Sequence, residues 1–195
     1  MLRLATPDDA AAVRAVYAPF VRETSITFEE TVPDETDIRD RIVSKQGTYP
    51  WFVCELDGEV VGYAYAGALR KRAAYRWAVE TSVYVRESAQ GEGVGRALYT
   101  LLLDCLDRQG FCDVYAVVTV PNPRSTEFHA RMGFERVAQF PSMGYKRGGW
   151  HDVEWWHRSL GTRPETPDEP LSVTDAKRRS GWEAAVERAE SLLDR

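Results

Sequence analysis

A β-branched run that breaks into three alternate glycines, and then into an amphipathic helix, restricts this chain more than any other feature. Residues 83–96 read Val-Tyr-Val-Arg-Glu-Ser-Ala-Gln-Gly-Glu-Gly-Val-Gly-Arg. Gly91, Gly93 and Gly95 remove Cβ atoms where backbone N–H groups converge, and the helix that follows presents the positive end of its dipole at the same place. A strand, a glycine turn and a helix in that order predict an α/β fold with a cradle for a pyrophosphate. The spacing excludes two familiar cradles. A P-loop closes on Gly-Lys-Ser or Gly-Lys-Thr, where this chain has Gly95, Arg96 and Ala97, and G-x-G-x-x-G fails because position 96 is arginine.

Composition bounds the rest. A chain of 195 residues suits one domain with an appendage, and 44% hydrophobic and 11% aromatic residues mark a globular protein. No apolar run approaches the roughly 20 residues of a membrane span, and the first residues lack the hydrophobic core of a signal peptide, so a cytoplasmic location is expected. A net charge of −5 disfavours nucleic acid as a partner. Against it the basic stretch Arg70, Lys71, Arg72 stands out. Cys54, Cys105 and Cys112 are odd in number and contain no Cys-x-x-Cys pair, so they read as buried thiols rather than as disulfides or a metal knuckle.

Along the chain, residues 2–5 predict a strand and residues 9–20 a helix, with Ala12, Val13, Val16 and Phe20 at helical spacing. A second helix is expected over 34–44. Residues 51–56 and 60–68 are strands joined by Asp57-Gly58, a hairpin signal. Further strands are expected at 81–85, 114–120, 134–140 and 153–159, with helices at 96–109 and 125–132. Residues 161–171 hold three prolines among acidic residues and read as a linker. Beyond it Trp182, Val186, Ala189 and Leu193 recur at helical spacing, which predicts a C-terminal helix within 172–195.

Two longer strings carry a resemblance. Arg70-x-Arg72-x-x-Tyr75-x-Trp77-x-x-Glu80-Thr81-Ser82-Val83-Tyr84-Val85 precedes the glycine turn, and Gly144-Tyr145-Lys146-x-Gly148-Gly149-Trp150-His151-Asp152-Val153 follows later. Together with Q-x-x-G-x-G at Gln90, Gly91, Glu92, Gly93, Val94 and Gly95, they resemble the phosphinothricin and methionine sulfoximine N-acetyltransferases of the GNAT superfamily. The resemblance covers residues 1–160. It implies a mixed central sheet with two splayed parallel strands flanked by helices, acetyl-coenzyme A as co-substrate, no metal, and a homodimer.

Carried over residue by residue, the resemblance puts backbone groups of Val83, Tyr84 and Val85 against the acetyl and pantetheine parts of the cofactor. Gln90 to Arg96 would surround the pyrophosphate, and Asn122, Ser125 and His129 the far wall. Glu80 is the expected base: an amine attacks a thioester only after losing its ammonium proton, and the apolar neighbours Trp77, Ala78, Val79 and Val83 would raise the carboxylate's pKa. A backbone N–H near Val83 would stabilise the oxyanion. His129 stands where many relatives of the superfamily have a tyrosine that protonates the leaving thiolate, so it is read either as that acid or as a hydrogen-bonding support. Arg70, Arg72 and Tyr75 would hold the acidic groups of a small amino-acid substrate, with Phe28 and Glu29 on the opposite wall and His151 touching substrate or supporting Glu80. Two other readings stay open at this point: a non-catalytic acetyl-coenzyme A sensor or partner-binding module, and acetylation of another small amine or a protein N-terminus.

Overall fold

In a computed structural model, which describes residues 1–193, the chain forms one seven-stranded sheet in the order β1-β2-β3-β4-β5-β7-β6. The strands are β1 (Leu2–Leu4), β2 (Trp51–Leu56), β3 (Glu59–Ala68), β4 (Ala78–Val85), β5 (Asp113–Val120), β6 (Glu135–Lys146) and β7 (Gly149–Ser159). Helices α1 (Ala10–Glu23) and α2 (Glu35–Lys45) cover one face, and α3 (Val94–Gln109) and α4 (Pro123–Arg131) cover the other. The mixed α/β architecture expected from sequence is the one observed. No helix among the described residues is long and apolar enough to cross a membrane.

Only β4 and β5 run parallel, and they pair at three positions, Ala78 with Asp113, Val79 with Val114 and Glu80 with Tyr115. Beyond Glu80 each strand keeps its other neighbour. β4 remains paired with β3 up to Val85, opposite Gly62, and β5 with β7 up to Val120, opposite Asp152. The sheet is therefore two antiparallel halves joined by a short parallel seam, and it opens into a V above the seam. Alternation of side chains assigns the two faces. Val79, Val83 and Val85 pack toward α3, whereas Glu80, Ser82 and Tyr84 face α1 and α2.

Local signals account for the helix ends. Asp34 caps α2, its carboxylate accepting from the Asp37 amide at 2.8 Å while Asp37 returns a bond to the Asp34 amide. Gly110, at φ +91°, terminates α3. The first helix runs three residues past the expected end, through Pro19, which lies on its exposed side.

Two expectations change. Strands β6 and β7 form one long hairpin that takes in the Gly-Gly-Trp-His-Asp string, which periodicity had left unassigned. The tail is two short helices, α5 (Val173–Arg178) and α6 (Trp182–Glu190), rather than one. Gly181 at φ +81° turns the chain between them. The helix expected within 172–195 reaches residues 194 and 195, which lie outside the described residues.

The tail packs on this domain. Val173, Ala176, Trp182, Ala189 and Leu193 are buried with Leu98, Leu102 and Leu106 of α3, and Trp182 stacks on Phe52 at 6.2 Å. Glu190 accepts from the Leu2 amide at 2.6 Å, and Arg188 pairs with Asp104 at 2.8 Å. Residues 161–171 contain no helix or strand, yet they are tied down: Trp77 Nε1 donates to the Asp168 carbonyl at 2.8 Å and the Leu171 amide to the Gln109 carbonyl at 2.8 Å.

Candidate active site

The cleft between the parted strands is lined by Ile26, residues 81–84 of β4, residues 116–119 of β5, and Asn122, Ser125 and His129. At its mouth lies the glycine turn. Gly91 and Gly93 adopt φ of +95° and +77°, which L side chains rarely reach. Gly95 is helical, and a Cβ there would meet only ordinary contact with Phe128 and Val85, so its role is to keep that surface low rather than to permit the turn. The amides of residues 91–96 donate to no acceptor among the described residues. Six donors without an acceptor among the described residues stand at the start of a 16-residue helix, an arrangement that can receive an anion, with the Leu192 carbonyl of the tail lying against Gly93. The Gln90 side chain is turned away from it, donating to the Val85 carbonyl at 2.9 Å and so fixing the end of β4 to the turn. Glu92 and Arg96 are exposed, and Val94 is buried beneath.

Of the β4 residues, Val83 and Val85 sit on the α3 side, while the Tyr84 ring is turned to the opposite face against Tyr17 at 4.9 Å and Phe20 at 5.2 Å. Only its backbone can serve the cleft. Asn122 caps α4 by accepting from the Ser125 amide at 3.2 Å. The His129 ring is 5% exposed, and its Nδ1–H donates to the Ser125 carbonyl at 2.8 Å. That bond fixes the tautomer, so Nε2 accepts from the Tyr99 hydroxyl at 3.2 Å and Tyr99 in turn accepts from Thr81 at 2.7 Å. Burial pulls the His129 pKa down to about 4, against the smaller opposing effect of the Ser125 carbonyl. The imidazole is neutral at physiological pH.

Glu80 lies third in β4, at the last paired position of the seam. It is half-buried and no hydrogen bond reaches its carboxylate among the described residues. Burial raises its pKa, and the nearby charges of Arg70 and Lys45 oppose this. Arg70 lies over the Trp155 ring at 5.0 Å, so the guanidinium is held above the sheet face that carries Glu80. Arg72 and Tyr75 belong to an exposed 3₁₀ turn, and Arg72 makes no ion pair among the described residues.

The opposite wall is built differently from expectation. Glu29 is bound by Arg41 at 2.7 and 3.0 Å and by the Tyr17 hydroxyl at 3.1 Å, which ties the loop between α1 and α2 to both helices. Burial pushes its carboxyl up, but the Arg41 and Tyr17 bonds outweigh this and leave its pKa below the ordinary value. Phe28 lies flat on Gly144, where any Cβ would strike the ring, and its centroid is 6.4 Å from that of His151. His151 Nε2 donates to the Lys146 carbonyl at 3.0 Å, so the fold joins His151 to Phe28 and not to Glu80. Lys146 is buried and donates to the Val21 and Thr27 carbonyls at 2.8 and 2.7 Å, tying the hairpin to the same loop.

Sequence reasoning missed Tyr99, Lys45, Arg41 and Lys146. Tyr99 lies on the apolar stripe of α3, and nothing local distinguishes it from a core aromatic. Nothing local marks Lys45, Arg41 or Lys146 either, because their surroundings are made by the approach of separate elements.

A profile of the acetyltransferase (GNAT) domain matches residues 2–155. The chain belongs to the GNAT acetyltransferase family. The phosphinothricin N-acetyltransferase of Streptomyces viridochromogenes is 38% identical over 172 residues, covering 88% of this chain and 92% of its own. The L-methionine sulfoximine/L-methionine sulfone acetyltransferase of Salmonella typhimurium is 33% identical, covering 82% of this chain and 94% of its own. Among solved structures, a GNAT superfamily phosphinothricin acetyltransferase from Sinorhizobium meliloti in complex with acetyl-CoA superposes with a TM-score of 0.83 at 35% identity, over 88% of this chain and 94% of that one. The family profile ends before the linker, so α5 and α6 lie beyond it.

Proposed function

We propose that this GNAT protein transfers the acetyl group of acetyl-CoA to the α-amine of a small amino acid, with phosphinothricin, methionine sulfoximine and methionine sulfone as candidate acceptors. The observation that carries the reading is the Glu80 carboxylate, unbonded and half-buried where β4 and β5 part. The relatives' activities and the free amides of residues 91–96 support the co-substrate.

Bound acetyl-CoA would supply a thioester carbonyl to the amine: the C–N bond forms, the C–S bond breaks, and coenzyme A leaves as a thiolate, a tolerable leaving group with a thiol pKa of about 8.5. The amides of residues 91–96 would take its pyrophosphate, and the edge of β4 at Val83, Tyr84 and Val85, paired with β3 but no longer with β5, would hold the arm. Glu80 removes the ammonium proton: burial makes it a stronger base than an exposed glutamate, while Arg70 and Lys45 keep it ionised. A backbone N–H near Val83 stabilises negative charge on the thioester oxygen, worth roughly 3 kcal/mol for one well-aimed donor. His129, neutral and with its Nδ1 proton committed to Ser125, is assigned a supporting role that ties α4 to Tyr99 of α3 and, through it, to Thr81 of β4. Arg70, Arg72 and Tyr75 receive the acceptor's acidic groups, and Phe28 and His151 close the wall opposite. Glu29 keeps that wall in place through Arg41.

Two attributes belong to the same reading. The homodimer is supported by the apolar side chains on the edge hairpin, where Val137, Met143, Tyr145 and Trp150 are each more than half exposed. Three buried thiols suit a reducing, cytoplasmic setting. The test is release of free thiol from acetyl-CoA with a panel of amino acids and amines. Release with phosphinothricin or the methionine derivatives, and none with polyamines, is expected. Tight acetyl-CoA binding without thiol release for any acceptor would establish a sensor instead.

A further inference from the structure

Gly67 is the cross-strand partner of Glu80 in the antiparallel β3–β4 pair, so a side chain at position 67 would stand beside the Glu80 carboxylate on the same face. That place is taken by another residue. The Lys45 ammonium, reaching from the last turn of α2, lies 2.7 Å from where a Gly67 Cβ would be. It is steadied over the Tyr65 ring at 5.2 Å and the Tyr49 ring at 5.9 Å. No carboxylate or carbonyl of the described residues accepts from it: its stem is half-buried, and it forms neither a hydrogen bond nor an ion pair. A lysine at a helix C-terminus ordinarily bonds the last carbonyls or points to water. This one is laid across two aromatic rings into a gap that exists only because residue 67 lacks a side chain.

We infer that Lys45 is a positioning residue for the proton acceptor: its ammonium, seated in the Gly67 gap, holds Glu80 ionised in the half-buried seam. The inference rests on Glu80 as the base. The groups around that carboxylate are Lys45 from α2, Arg70 from the segment after β3, Tyr65 from β3, Ser82 on β4 itself and Tyr115 from β5. Arg41, the other cation of α2 on this side, is committed to Glu29. Lys45 and Arg70 are therefore the cations left to offset the burial of Glu80. Lys45 itself is pushed down by burial and by Arg41, with Glu80 opposing, as expected for two half-buried charges that stabilise one another.

The test reads Glu80 directly, by carboxyl carbon NMR titration of the full chain, and then reads the acid limb of kcat/KM. Replacing Lys45 by Met keeps the stem and removes the charge. Glu80 should then titrate higher by about half to one pH unit, the size of a unit charge several ångströms away in a partly wet site. The Gly67→Ala variant is the second arm: its Cβ displaces only the flexible end of Lys45, at a strand position with no left-handed backbone, and should produce part of the same rise. The double variant should rise no further than Lys45→Met alone. An unmoved Glu80 titration in folded Lys45→Met protein, or additive shifts in the double variant, overturns the inference. A Glu80 titration that shifts while the acid limb does not would leave the Lys45 contact standing and remove Glu80 as the base.

Discussion

The histidine on α4 offers the sharpest check on the site's electrostatics. His129 has a pKa of about 4 in the fold against 6.5 for an unperturbed imidazole, because burial of the ring disfavours the imidazolium and outweighs the opposing effect of the Ser125 carbonyl. A folded pKa below the unfolded one means that the unfolded chain binds the extra proton between pH 6.5 and 4. Stability from the buried neutral ring is thus fully present above 6.5 and is lost as pH falls toward 4. The full loss is about 3 kcal/mol, at about 1.4 kcal/mol for each pK difference of one. For a domain of this size that is roughly 6–12 °C in unfolding midpoint. Urea unfolding at closely spaced pH values, for the native chain and for His129→Gln, isolates the contribution, since other carboxylates titrate alike in both. The native chain should lose about 3 kcal/mol relative to the variant between pH 7 and 4. A difference that stays flat across that range, or an imidazole NMR titration near 6.5, would refute both the buried network and the assignment of His129 as a neutral support.

Replacing Glu80 by Gln should lower kcat by about 10²–10⁴ and abolish the acid limb, with acetyl-CoA affinity by calorimetry unchanged; lost cofactor binding would mean the carboxylate serves the cleft and not the amine. Gly93→Ala forces a side chain into φ +77° and onto the Leu192 carbonyl, so it should raise KM for acetyl-CoA and lower the melting temperature. The backbone part alone is about 1–2 kcal/mol. A chain ending at residue 171 strips Val173, Trp182 and Leu193 from α3, and scanning calorimetry should show a loss of about 5 kcal/mol or more in stability; an unchanged midpoint would mean the tail is not part of this core.

Periodicity alone placed the strands of the first half within a few residues, because alternating β-branched runs and glycine punctuation are local properties of the chain. It also located the glycine turn, whose φ angles at Gly91 and Gly93 demand the residues found there. It found only residues 134–140 and 153–159 of the β6–β7 hairpin, because exposed residues on both faces of β6 dilute the alternation toward its turn, and it missed the break in the tail, where Gly181 divides a stripe that looked continuous. Glu80 could be singled out by its apolar neighbours and its place in a motif, yet nothing local could show that β4 parts from β5 just beyond it. That parting arises because β3 and β7 each hold one of the two strands along its length, which is a competition among four distant segments. The same holds for charge. Sequence determined which residues could carry it, whereas tertiary structure decided that Glu29 and Arg41 satisfy one another, that Lys146 caps two carbonyls, and that Lys45 settles beside Glu80 where glycine leaves a gap. Coulomb interaction and desolvation depend on separation in space, and separation in space is set only when the elements pack.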